Sequence, residues 1–190
     1  MKSNIENKPE VFYFGHVIGA TGVTEGDGIF LEMYFEAGNE WRFISGDKIY
    51  QTQTSYVNVM DFFCFDQPFD LHFQTESYCG WPRIVVKIWK LDQTNTIDLL
   101  SYGTMNLPNS PGYHELLFAT WSLHGNIREE TLSYFLDSKP MMNNCEGISR
   151  DLDLRSWLIT KPGPKVHIGV EVLMRNFNTL NKRNLAQKRV

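Results

Sequence analysis

From Phe69 the side chains alternate with a period of two: Phe69, Leu71 and Phe73 face one way, Asp70, His72 and Gln74 the other. That period belongs to a half-buried strand. From Ile84 the pattern is heavier, with Ile84, Val86 and Ile88 on one face and Val85, Lys87 and Trp89 on the other. Such a strand is central or covered on both sides. Between the two, Gly80-Trp81-Pro82 cannot continue a central strand, because Pro82 lacks an N–H and Gly80 can take a positive φ. The segment is read as a connection between two antiparallel strands, with the Trp81 ring pinned to the core. Tyr102-Gly103 and Pro108-Asn-Ser-Pro111-Gly112 punctuate the strand that follows. No residue of this centre is an evident chemical reagent.

The flanking chain repeats the theme. Val11 to Gly19 predicts an aromatic-rich strand, with Phe12, Phe14, His16 and Ile18 on one face and Val11, Tyr13 and Val17 on the other. Ile29, Leu31, Met33 and Phe35 face inward, with Phe30, Glu32, Tyr34 and Glu36 outward. A short turn leads to a strand from Trp41, which Ser45-Gly-Asp47 breaks. Gln51 to Val57 is polar and β-prone, a candidate exposed edge for pairing between subunits. Strands are also expected at Leu99–Leu107, Tyr113–Ala119 and around Trp157–Thr160. Lys161-Pro-Gly-Pro164 reads as a stiff turn, before a last strand whose Val166, Ile168, Val170, Val172 and Met174 share one face. One helix is expected near 126–137, where Asn126 and Glu129 have the spacing of a capping box. Met141 to Arg155 reads as a loop. Short strands, close Gly/Pro turns and one helix predict an all-β antiparallel β-sandwich of about eight strands, with the α-helix inserted.

Hydrophobic residues at 42% and aromatics at 14% suffice for a packed core. A net charge of −4 argues against a nucleic-acid binder. Cys64, Cys79 and Cys145 form neither a disulfide framework nor a zinc-type spacing, and free thiols suit a reducing compartment. The polar first ten residues carry no signal-type apolar region, and no run approaches a membrane span. The expectation is a soluble intracellular chain divided into a polar extension (1–10), one domain (11–177) and a basic tail (178–190) bearing Lys182, Arg183, Lys188 and Arg189.

His16-Val-Ile-Gly-Ala20, Trp41-Arg-Phe-Ile-Ser-Gly46, Gln51-Thr-Gln53, Pro68-Phe-Asp-Leu-His-Phe73, Gly80-Trp-Pro-Arg83, Tyr102-Gly103, Pro108-Asn-Ser-Pro-Gly-Tyr-His114 and Leu173-Met-Arg-Asn-Phe177 occur in that order. Together they resemble the B9 domain family, from about Val11 to Phe177. The first and last of them point to one paralogue within it. The resemblance implies a C2-like sandwich without enzymatic activity or cofactor, a structural component of the ciliary transition zone. It implies a hetero-oligomer with B9 domain-containing protein 1 and the Meckel syndrome type 1 protein, in contact with transition-zone membrane proteins. The implied location is cytoplasm and cytoskeleton, at the ciliary basal body and transition zone. The implied role is support of ciliogenesis and of the barrier to membrane-protein entry. Gly80, Trp81, Pro82, Tyr102, Gly103, Pro108, Pro111 and Gly112 are the family-motif residues, with structural roles.

A C2-like fold raises calcium, which needs six to eight oxygens. The loops offer Glu25 with Asp27 and Asp92 with Asp98; solvated loop acids are the plainer reading. A peripheral phospholipid-binding module, with or without calcium, is the alternative function, its basic tail touching anionic lipid. His16, His72, His114, His124 and His167 form no catalytic spacing, and Cys79 reads as a small turn residue. Gly22, Gly26 and Gly28 lack the Lys and Ser/Thr of a phosphate loop. Phe14, Phe35, Phe69, Phe73 and Trp81 are expected in the core, while Trp89 fits either the helix or a partner interface.

Overall fold

A computed structural model describes residues 8–23, 27–56, 61–124 and 159–178. Every element they form is a strand: β1 (Glu10–Thr21), β2 (Gly28–Glu36), β3 (Trp41–Gly46), β4 (Ile49–Gln51), β5 (Phe62–Thr75), β6 (Arg83–Leu91), β7 (Ile97–Asn106), β8 (Gly112–Leu123) and β9 (Thr160–Arg175). The expected helix near 126–137, the 141–155 loop and Trp157 lie outside the described residues.

The architecture corrects the expected sandwich of about eight strands. All nine strands belong to one antiparallel sheet, ordered β3-β5-β1-β9-β8-β7-β6-β2-β4 and strongly curled into a half-barrel. The curl brings distant strands face to face: Phe35 of β2 and Phe69 of β5 have ring centroids 5.0 Å apart. Bulges drive it. Register shifts fall between Val17 and Gly19, Phe43 and Ser45, Ile88 and Trp89, and Ala119 and Trp121, and each adds local bend and right-handed twist. The two halves of the sheet join through a single residue pair, Tyr102 with Trp121. Alternation reveals which face of a strand is dry but not whether the ladder continues around a corner, so this seam escapes a reading of the sequence.

The concave face holds the core. Tyr13 and Val17 of β1, Leu31 and Met33 of β2, Ile84 and Val86 of β6, and Val166 and Val170 of β9 are fully buried. Their β-branched and aromatic side chains fit a pleated, covered surface. Two expectations fail locally. Lys161-Pro-Gly-Pro164 is no turn but the start of β9, where Pro162 pairs with Trp121 beside a bulge in β9 itself. Thr120, the single residue opposite Gly163 and Pro164, donates to the Pro164 carbonyl at 2.7 Å and lies 2.8 Å from the Ser101 hydroxyl. Proline is tolerated at such a bulge because no ladder N–H is demanded of it. Phe14, expected in the core, is 45% exposed on the convex face.

Candidate interaction site at the motif end of the sheet

β5 and β6 are not neighbours in the sheet, so the Tyr78–Pro82 connection crosses from one half to the other. Its backbone is clamped on three sides. Gly38 N–H donates to the Gly80 carbonyl at 2.8 Å, the Trp41 indole donates to the Cys79 carbonyl at 2.8 Å, and Leu107 N–H donates to the Pro82 carbonyl at 2.9 Å. Gly80 sits at φ +70°, and a Cβ there would lie 2.6 Å from the Gly38 Cα. The Trp81 ring packs edge-on against Trp41 at 4.8 Å and lies 6.3 Å from Phe177. Gly80, Trp81 and Pro82 therefore meet Trp41 and the end of β9 in one aromatic knot. Gly38 and Tyr13 belong to the same neighbourhood, and neither stood out in the sequence.

Tyr13 links the knot to Pro108, donating its hydroxyl to that carbonyl at 3.3 Å. Burial pushes its pKa well above the ordinary tyrosine range, outweighing a smaller opposite effect of Trp81. A raised pKa means the neutral phenol is favoured in the fold, so its stabilisation is complete below about pH 10 and lost as pH rises beyond. Tyr34, raised by burial, and Lys90, raised chiefly by its Asp27 hydrogen bond, act with the same sign. The urea midpoint is expected to fall above about pH 10, and Tyr13→Phe to flatten that fall.

The remaining motif residues serve elsewhere. Tyr102 forms the seam with Trp121 at 5.3 Å, and Gly103 leaves room there: a Cβ would meet the Phe118 ring at 2.7 Å. Pro111 is exposed, and Gly112, at φ +118°, opens β8.

Three of the proposed calcium carboxylates do converge, but around a lysine. Lys90 Nζ lies 2.7 Å from Asp27 Oδ2, stands opposite Asp98 in the β6–β7 register, and feels the charge of Asp92. Asp92 Oδ1 also accepts from the Gln93 N–H at 2.6 Å. The loop acids are thus compensated from within by an ammonium group. Glu25 lies outside the described residues, and among those described no three His, Cys, Asp or Glu residues are grouped to hold a metal ion.

Of the expected edge segment, only the start falls in the last strand of the order, β4. Gln51 ends β4 and Ser55 bridges Ile29, while Val57 lies outside the described residues. Between β3 and β4 opens a cleft of about 290 Å³, floored by Phe35, Phe43 and Phe73 with Lys48 at its mouth. Its polar lining is Tyr34, Glu36 and Lys48. Cys79 is exposed in the turn, its N–H bonded to Ser77 Oγ. Trp89 donates to Glu32 at 3.2 Å and stacks on Phe30, on the convex face of β2 and β6.

The described residues form an all-β module with large apolar side chains on its surface and a knotted motif end, the makings of an interaction module. The model of the ciliary basal body-associated B9 (B9-C2) family matches residues 11–173, and the chain belongs to the B9 domain family. It is 35% identical over 169 residues to B9 domain-containing protein 2 of Rattus norvegicus, covering 89% of this chain and 95% of that protein. To B9 domain-containing protein 1 of Homo sapiens it is 27% identical over 119 residues, 61% of this chain and 58% of that protein. Among solved structures, a C2-type domain of plant Extended Synaptotagmin 1 is similar at a TM-score of 0.47 and 8% identity, covering 85% of this chain and 92% of that one. That likeness is too low to carry an argument.

Proposed function

We propose that the chain is a non-enzymatic scaffold of the ciliary transition zone, located at the basal body, where it assembles with B9 domain-containing protein 1 and the Meckel syndrome type 1 protein. In this reading residues 11–177 form the assembling domain, flanked by the 1–10 and 178–190 segments. Gly80, Trp81, Pro82, Tyr102, Gly103, Pro108, Pro111 and Gly112 serve its shape. The assembly supports ciliogenesis and the barrier that controls membrane-protein entry. The observation that carries the reading is the family match over residues 11–173, supported by similarity to a B9 domain-containing protein 2 along 95% of that protein. A folded surface with large exposed apolar side chains suits such a role. Co-expression with the two named proteins, followed by size exclusion with mass determination, tests it. A single stoichiometric peak is the expected result; separate elution of a folded monomer would overturn the scaffold.

A further inference from the structure

The convex face of β5, β1, β9 and β8 is ordered in rows by its register. Asp70, Phe14, Glu171 and Tyr113 stand side by side across the four strands. On one side of this row lie His72, Phe12 and Leu173; on the other, His16, Gly169 and Glu115, then His167 and Leu117. Phe14, Leu173, Tyr113 and Leu117 are each between 45% and 58% exposed, so the rows form a patch and not isolated apolar residues. Phe12 lies stacked on His72 at 4.0 Å. Above Gly169, where a Cβ would strike the Tyr113 hydroxyl at 2.8 Å and the His16 ring at 2.9 Å, those two side chains lean over β9.

The charges are sorted as well. Asp70, Glu115 and Glu171 are exposed within the patch, and among the described residues no ion pair engages them. The basic residues of this face stand at its two ends. Arg42 and Arg175 share the row of Gln74 and Glu10, Arg175 lying 3.9 Å from Glu10, and Lys165 stands in the row of Thr21. The centre thus offers apolar contact with carboxylates on either side of an aromatic ring. A guanidinium or ammonium group placed over Phe14 meets the ring's negative face between Asp70 and Glu171. An anionic membrane meets repulsion in the same place.

We propose that this face docks an amphipathic, arginine- or lysine-bearing segment of a partner protein; the inference rests on the scaffold reading and specifies its surface. The test uses the full chain, its Asp70→Lys/Glu171→Lys and Phe14→Ser variants, and two arms. All three positions are exposed, and unchanged urea midpoints establish that each variant folds. In the first arm, the two B9-family proteins named above are co-expressed with each form. Assembly about tenfold weaker for both variants is expected. Assembly of the wild type matched by equal assembly of the variants would overturn this surface and leave the scaffold standing.

The second arm does not depend on those proteins. A synthetic peptide alternating arginine with leucine is titrated into the chain, following the nuclear magnetic resonance signals of Phe14, Tyr113 and Leu173. Selective shifts are expected, weakened by salt and about tenfold in affinity by the charge reversal, with none from a glutamate–leucine peptide. Absence of shifts, or equal affinity of the charge-reversed variant, would overturn the proposal even if the scaffold assembles. So would binding to phosphatidylserine vesicles that Phe14→Ser abolishes. Deletion of residues 178–190 distinguishes the remaining occupant: a gain of about tenfold in peptide affinity would identify the chain's own basic tail as the ligand and refute a partner segment.

Discussion

Gly80→Ala is expected to lower unfolding free energy by about 3 kcal/mol, although it adds one methyl group to an exposed loop. Two effects combine. At φ +70° an L side chain costs about 1–2 kcal/mol. The new Cβ would also stand 2.6 Å from the Gly38 Cα, and backbone on both sides cannot swing away as a side-chain tip can. Relief of that contact separates Gly38 N–H from the Gly80 carbonyl and strains the Trp41 bond to Cys79 next to it. Urea unfolding measures the loss directly. A change below about 0.5 kcal/mol, typical of ordinary surface positions, would mean that the two loops part without consequence and that the knot does not hold the motif end together.

Phe73→Ala is expected to cost about 3–5 kcal/mol, enough to unfold a domain of ordinary stability. Phe73 is 1% exposed, with ring centroids 5.4 Å from Phe43, 6.3 Å from Tyr13 and 6.4 Å from Trp41. These neighbours belong to β3 and β1, on either side of β5, so the cavity would open where three strands meet and cannot collapse by moving one. Phe14→Ala, on the convex face, is expected to change stability by less than about 0.5 kcal/mol. The pair separates core from surface: a large loss at Phe14 would mean that its face is covered within the monomer.

That contrast shows how far the sequence reached. Alternation placed the dry faces of β2, β5, β6 and β9 correctly, because there apolar residues alternate with charged or polar ones. In β1 both faces are apolar, Val11, Tyr13 and Val17 against Phe12 and Phe14, and side-chain type could not say which the fold would cover. Gly80 and Pro82 announced their turn through backbone chemistry alone. The Lys161-Pro-Gly-Pro164 segment misled for the opposite reason: its missing N–H groups are accommodated by a bulge of β9 against Thr120, a partner more than forty positions away in the chain. Lys90 among the loop acids was invisible because Asp27 comes from the bend before β2 and Asp98 from the neighbouring β7. Local pattern carries parity and turn chemistry; closure, seams and charge clusters depend on register.

Among the described residues the sheet ends in two edges, whose placement has a consequence for how copies can accumulate. β3 and β4 are consecutive in the chain, separated only by Asp47 and Lys48, yet they terminate opposite ends of the strand order. The Tyr50 hydroxyl spans the gap to the Asp70 carbonyl at 3.1 Å, fastening one edge beside the other. An open sheet can grow from both sides without limit; this one resembles a bracelet with its clasp nearly shut. A strand arriving at β3 leaves no distant second edge to receive another, and the edges are short, six and three residues. Head-to-tail growth through these edges is thereby frustrated, and under the docking proposal above the mortar between such bricks is laid on the broad outer wall.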